Sequence, residues 1–262
     1  MSISKNSALV LGGTGAVGKC LVRDALASDA FTRVLTLGRR PVAINDTFTN
    51  ISLLDQKSVD FENIPATFPE TDIPQIVFCS LATTRAQTGW SAAAFKKIDQ
   101  QYVLDSARYI HEKAPKDPET GKSKVHFLHC SSLGANADSL FLYPKTKGET
   151  ENALAEIGFE RLSIFHPAFL KVVEPREHGV GAAEWAVGKL VPVLDFLAPK
   201  SATVSVATVA KSMRIVGTSD NPQVEGVEPK SAKINPVSKT LVAYYSNANM
   251  HEIVQKHDAS KQ

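Results

Sequence analysis

Short apolar runs punctuate the chain over its first two-thirds: Ala8-Leu9-Val10-Leu11, Val34-Leu35-Thr36-Leu37, Ile76-Val77-Phe78-Cys79-Ser80-Leu81, Val125-His126-Phe127-Leu128-His129-Cys130 and Arg161-Leu162-Ser163-Ile164-Phe165. Runs this short and this continuous are expected of strands covered on both faces. Asn50-Ile51-Ser52-Leu53-Leu54 is predicted as a further strand, third in chain order. Between the runs the apolar positions change to helical spacing. Val17, Cys20, Leu21 and Ala25 share one face of a helix from about Val17 to Ser28. Phe95, Ile98, Tyr102, Val103, Ala107 and Ile110 do the same over Ala92 to Lys113, which Pro115, Pro118 and Gly121 bring to an end. Another helix is predicted from about Tyr143 through Ala155, and a loop with a short helix over Asp60 to Asp72. Strand and helix in alternation predict an α/β fold with a doubly wound parallel sheet.

After Phe165 the pattern changes. Glu174 to Pro199 is amphipathic, carrying Trp185, Leu190, Val193, Leu194, Phe196 and Leu197, and is predicted to be a lid over a substrate. A helix begins in Ser205-Val206-Ala207-Thr208-Val209-Ala210. Asn221 to Lys239 reads mostly as loop, with an edge strand near Gln223 to Val227, and a last helix lies near Met250. No internal repeat is present.

At 262 residues and 43% apolar, the chain can build one sizeable core. We therefore expect a single domain over 1–262, with 171–262 supplying the small C-terminal substrate lid and elaboration. A net charge of +2 makes no electrostatic case for nucleic acid. Cys20, Cys79 and Cys130 sit in apolar surroundings without metal-ligand spacing, as buried thiols of a reducing compartment would. No run approaches the ~18 apolar residues of a membrane span. Few residues precede the first strand, so no cleavable presequence is expected. These features predict a cytoplasmic protein, monomer or homodimer.

The candidate chemistry starts where the first strand meets the first helix. Gly12, Gly15 and Gly18 are spaced three apart between them. In that setting the first glycine allows the tight turn, the second lets backbone N–H groups approach a pyrophosphate, and the third lets helix and strand pack closely. The helix N-terminus adds unpaired donors and the positive end of its dipole. A dinucleotide cofactor is the ligand this arrangement predicts. The second strand ends in Leu37-Gly38-Arg39-Arg40, with no carboxylate for the ribose hydroxyls. Two guanidiniums suit a 2′-phosphate, which favours NADP(H). Asp55, placed at the end of the predicted third strand, could accept from the adenine amino group. Leu81, Ala82 and Thr83 end the fourth strand where the cofactor's ribose would pass, and Pro167 ends the sixth beside the nicotinamide.

The fifth strand runs into Ser131-Ser132, and Tyr143 and Lys147 follow, four apart on one helix face. A tyrosine hydroxyl can give or take a proton at a carbonyl or alcohol, a lysine ammonium eases loss of that proton, and a serine hydroxyl orients the substrate oxygen. His166 is expected to be a satisfied strand-end residue. His126 and His129 have no zinc-pair spacing, so no metal is assigned.

Together these motifs resemble the short-chain dehydrogenase/reductases of the extended or atypical kind. Leu81-Ala82-Thr83-Thr84-Arg85, Lys97-Ile98-Asp99, His126-Phe127 to Ser131-Ser132, Phe141-Leu142-Tyr143 with Lys147-Gly148-Glu149, and Phe165-His166-Pro167 narrow the likeness. They resemble the Tat-interacting-protein oxidoreductases and their fungal relatives associated with the mitochondrial outer membrane. The likeness covers most of residues 7 to 215. It implies a Rossmann fold and NADPH held by Gly12, Thr14, Gly15, Ala16 and Val17, with Arg39 and Arg40 on the 2′-phosphate. It also implies a catalytic trio of Ser132, Tyr143 and Lys147, with Ser131 as the alternative serine. Asp99 stands where many such enzymes carry asparagine, and His166-Pro167-Ala168 replaces Arg-Pro-Gly. The implied activity is hydride transfer to or from a small carbonyl or alcohol. The alternative is a cofactor-sensing module that docks a protein partner with little turnover, and the alternative location is peripheral on the mitochondrial outer membrane.

Overall fold

The computed structural model describes residues 6–171 and 203–261, so the predicted lid over Glu174 to Pro199 lies outside the described residues. The strands are β1 (Asn6–Leu11), β2 (Phe31–Gly38), β3 (Leu54–Ser58), β4 (Ile76–Cys79), β5 (Ser123–Cys130), β6 (Phe159–His166), β7 (Phe169–Lys171), β8 (Thr203–Ser205), β9 (Ser231–Ile234) and β10 (Leu241–Ser246). All but β7 and β8 join one eight-stranded sheet in the order β3-β2-β1-β4-β5-β6-β10-β9. Every pairing in it is parallel except the edge pairing of β9 with β10. The strands β7 and β8 pair separately, in parallel.

Helices α1 (Ala16–Ala27), α2 (Ile64–Thr67), α3 (Ala92–Lys96), α4 (Tyr102–Lys113), α5 (Leu142–Glu156), α6 (Val206–Gly217) and α7 (Asn247–Ala259) cover both faces. The strand runs are apolar throughout because each alternate residue meets a different helix layer. Ala8, Val10, Phe78, Leu128 and Phe165 face Leu21 of α1, Val209 and Met213 of α6, and Ile253 of α7. Leu9, Leu11, Val77, Phe127 and Ile164 face Ile64 of α2, Val103 and Ile110 of α4, and Leu154 of α5. A largely buried Arg214–Asp24 pair at 2.5 Å ties α6 to α1. Residues 203–261 thus add two helices to the layer of α1 and two strands, β9 and β10, to the main sheet.

Several elements differ from the pattern-based expectation, the short β7 and β8 among them. The third strand is not Asn50 to Leu54. Asn50 adopts a left-handed φ of 51° and begins a single 3-10 turn (Ile51–Leu53), and its side-chain amide donates to the Leu26 carbonyl at 2.9 Å. The strand is the polar stretch that follows, Leu54–Ser58. It lies at the sheet edge and is only half covered, so it needs no apolar run. Next, the predicted edge strand near Gln223 to Val227 is an isolated Val224–Val227 bridge around a turn at Glu225 and Gly226, and the edge is β9 instead. Finally, β10 was not among the predicted elements. It lies between β6 and β9, with Val242, Ala243 and Tyr245 buried.

Candidate functional site

The strand order reverses between β1 and β4, and the loops leaving the carboxyl ends of β1, β2, β4, β5 and β6 open on that side of the sheet. Gly12 turns with φ +82°, and a Cβ there would sit 2.7 Å from the Ser80 carbonyl carbon. A Cβ on Gly18 would sit 2.1 Å from the Gly12 oxygen. The Gly15 N–H donates to the Gly12 oxygen at 3.0 Å, and the Ser80 hydroxyl donates to the Leu11 oxygen at 3.1 Å. The turn is therefore wedged between β4 and α1 with no room for side chains on its inner side, while Thr14 and Gly15 are exposed on its outer side. Ala16 and Val17 open α1, whose first turn carries no acidic residue. A pyrophosphate fits this cradle: bare backbone N–H groups at a helix N-terminus with no competing carboxylate.

Arg39 and Arg40 are exposed directly after β2. Asp55 does not join them. It lies within β3, in register with Leu35, and its carboxylate pairs with Arg33 at 2.6 Å. The misplaced third strand accounts for the difference, because the true strand ends at Ser58 and not at Leu54. The acid just beyond that end is Asp60, following Val59, whose N–H donates to the Gly38 oxygen at 3.0 Å. Asp60 was missed because its strand lacks an apolar signature. Leu81 and Thr83 are half-buried and Ala82 is exposed in the loop after β4.

At the end of β5 the two serines diverge. The Ser131 hydroxyl donates to Glu151 of α5, whose same oxygen also meets His166 Nε2 at 2.9 Å. Ser132 Oγ is buried and has no hydrogen-bond partner among the described residues. The loop after Ser132 lies directly on α5. A Cβ on Gly148 would sit 2.2 Å from the Ala137 nitrogen, and the Asn136 N–H donates to the Pro144 oxygen at 3.0 Å. The close approach at Gly148 brings the serine loop against the helix that carries Tyr143 and Lys147. Tyr143 is 41% exposed with its ring against Phe95, centroids 5.8 Å apart. Lys147 is 1% exposed, its Nζ 5.8 Å from the Tyr143 ring centroid. The Leu133 N–H donates to the Pro167 oxygen at 2.9 Å, which joins the serine loop to the end of β6.

The lysine is charged in spite of its burial. Desolvation alone would lower it, but the Asp99 carboxylate, with Nζ–Oδ1 2.6 Å, raises it above the usual lysine range. Asp99 lies in a π-helical turn (Lys97–Gln101) between α3 and α4 and is itself fully buried. Such turns insert one extra residue and frequently mark functional sites. The predicted helix from Ala92 to Lys113 is therefore present but interrupted by a wide turn, invisible to a search at ordinary helical period.

His129 is fully buried, and neither ring nitrogen has a partner among the described residues. Burial first, then Lys147 and His166, push it down to about 3. Burial likewise lowers His126, which meets Ser163 Oγ at 2.8 Å. Between about pH 6.5 and 3 the unfolded chain binds a proton that the folded His129 imidazole cannot. The stability that His129 contributes should thus be fully present above about pH 6.5 and fall by about 1.4 kcal/mol per pH unit below it, and His126 acts in the same direction. His129→Leu is expected to remove one such step, measured as a shallower acid slope of Tm. A slope equal to that of the wild type would refute it. Among the described residues no group of His, Cys, Asp and Glu side chains could hold a metal ion.

Two comparisons place this architecture, and no family model matches the chain. Protein HTATIP2 of Rattus norvegicus is 33% identical over 212 residues, 80% of this chain and 81% of that protein. FMP52, mitochondrial, of Lodderomyces elongisporus is 38% identical over 194 residues, 71% of this chain and 76% of that protein. The chain belongs to the HTATIP2 and FMP52 family. Its structural neighbours carry the short-chain dehydrogenase/reductase fold. A short-chain type dehydrogenase/reductase from Mycobacterium ulcerans superposes with a TM-score of 0.59 at 14% identity, over 96% of this chain and 92% of that one. The Bordetella bronchiseptica enzyme WbmF, solved with NAD+, gives 0.59 at 11% identity, over 100% and 80%. At 11–14% identity these likenesses show the fold alone: this member of the HTATIP2 and FMP52 family has the fold of a short-chain type dehydrogenase/reductase and of an enzyme solved with NAD+.

Proposed function

We propose that this family member is an NADP(H)-dependent oxidoreductase acting on a small carbonyl or alcohol. The observation that carries the reading is the buried Ser132 hydroxyl, without a hydrogen-bond partner among the described residues, on a loop packed against the helix of Tyr143 and the charged Lys147. A substrate oxygen would supply the hydrogen bond that Ser132 lacks. Tyr143 would give or take the proton at that oxygen, and the Lys147 ammonium would stabilise the negative charge that develops on the phenol oxygen. A nicotinamide cofactor, when bound, supplies or accepts the hydride. Gly12, Thr14, Gly15, Ala16 and Val17 would hold its pyrophosphate, Leu81, Ala82, Thr83 and Pro167 would line its ribose and nicotinamide end, and Asp60 replaces Asp55 as the acid beyond β3.

The exposed Arg39–Arg40 pair, with no carboxylate at the end of β2, supports NADP(H) over NAD(H). Titrating the purified protein with NADPH and NADH is expected to show tighter NADPH binding. Arg39→Ala combined with Arg40→Ala should remove most of that preference, a loss on the order of tenfold to hundredfold for NADPH alone. Equal affinity for both cofactors in the wild type would overturn the NADP(H) assignment. Tight NADPH binding with no carbonyl-dependent oxidation across a broad panel would favour the cofactor-sensing module that docks a partner. The FMP52 relatives named mitochondrial support a mitochondrial site over the cytoplasm. Among the described residues no helix is long and apolar enough to cross a membrane.

A further inference from the structure

We propose that Asp99 is a positioning residue that keeps the Lys147 ammonium charged and directed toward Tyr143 while anchoring the loop after β4. The inference rests on the oxidoreductase reading for its purpose, but its geometry stands independently. One carboxylate oxygen of Asp99 lies 2.6 Å from Lys147 Nζ, and the other accepts the Thr83 N–H at 2.7 Å. Both side chains are essentially excluded from solvent, at 2% exposure for Lys147 and 0% for Asp99. The π-helical turn holds this buried side chain at the point where the turn and α4 pack on α5. A single carboxylate thereby links the loop proposed to carry the cofactor's ribose to the lysine proposed to act on Tyr143.

The groups around Lys147 leave it little other compensation. On its own helix stands Tyr143, whose ring centroid lies 5.8 Å from the ammonium. From β5 come His129, held down at about 3, and Cys130, whose thiol burial pushes up to about 11. From β4 comes Cys79, pushed up to about 12. All three are uncharged at neutral pH. Glu151, one turn further along α5, is engaged by Ser131 and His166. Asp99 is the carboxylate in contact with the ammonium. A buried cation that loses its anion releases its proton, because desolvation then acts unopposed.

The test uses Asp99→Asn, whose amide keeps an acceptor for the Thr83 N–H while removing the charge. Labelling lysine side chains with 13C at Cε and following the Lys147 resonance by NMR, assigned through Lys147→Met, reads the charge without any cofactor. In the wild type the resonance should stay protonated to at least about pH 10. In Asp99→Asn its transition should fall by about 1–3 pH units. An unchanged transition would overturn the proposal, since a merely structural aspartate would not move it. If Asp99→Asn does not fold, Asp99→Asn with Lys147→Met should fold, because the uncompensated charge is gone. Failure of that double variant to fold would also overturn the proposal. NADPH titration of the same proteins separates the two readings. A wild type that binds no NADPH would sink the cofactor assignment while the lysine titration still decides the role of Asp99. Binding in Asp99→Asn that weakens through the alkaline range, where the wild type holds steady, would support both.

Discussion

Replacing Tyr143 with phenylalanine is expected to slow carbonyl-dependent NADPH oxidation by about 10²–10⁴-fold while leaving cofactor affinity unchanged. The substitution removes one oxygen and nothing else. The ring keeps its contact with Phe95, and the residue is already 41% exposed, so the loss of one oxygen opens no buried cavity. Lys147 stays paired with Asp99. What is lost is the proton donor or acceptor that the hydroxyl would present to a substrate oxygen beside Ser132. The measurement is turnover of a confirmed substrate by the wild type and by Tyr143→Phe, with NADPH affinity as the control. Equal turnover would remove Tyr143 from the acid–base role, and the packing of the Ser132 loop on α5 would then need another explanation. A smaller change confined to KM would point to a residue that only orients substrate.

Gly18→Ala should be the most damaging single methyl group at the nucleotide end. The added Cβ would lie 2.1 Å from the Gly12 oxygen and 2.8 Å from Ser80 Oγ. The serine hydroxyl could rotate away, but the oxygen belongs to the backbone of the turn itself, so α1 or the turn must shift. Overpacking of this kind costs about 1–3 kcal/mol. The same shift spoils the cradle, so NADPH affinity is expected to fall on the order of tenfold to hundredfold. Thermal unfolding and a cofactor titration read the two effects separately. A variant with native Tm and native affinity would show that the close approach of α1 to the turn carries no weight. Gly148→Ala makes an instructive comparison. Its Cβ would meet the Ala137 nitrogen at 2.2 Å, yet it lies against the serine loop, so its effect should appear in turnover as well as in stability.

Much of this protein follows from local patterns that survive without neighbours. The apolar runs of β1, β2, β4, β5 and β6 are readable because a strand covered on both faces has no polar side to interrupt it. The glycine spacing is readable because the close approaches at Gly12 and Gly18 tolerate no other residue. The Tyr143–Lys147 pairing is readable because four residues on a helix fix their common face. Family membership was visible in the same segments. Other features depend on tertiary context. Leu54–Ser58 becomes a strand because β2 offers it an open edge, and the moved boundary exchanges Asp55 for Asp60. The stretch Leu241–Ser246 becomes a strand of the main sheet because β6 has a free side to pair with. Which serine faces the site was undecided between Ser131 and Ser132 along the chain. In the fold, Glu151 claims the first hydroxyl and leaves the second unpartnered among the described residues. Asp99 looked like a departure from a family asparagine. Only the packing of α5 against the π-helical turn sets its carboxylate against Lys147. The division has one physical cause: periodicity and backbone geometry are written in neighbouring residues, whereas edges, buried charges and hydrogen-bond partners are properties of residues far apart in the chain.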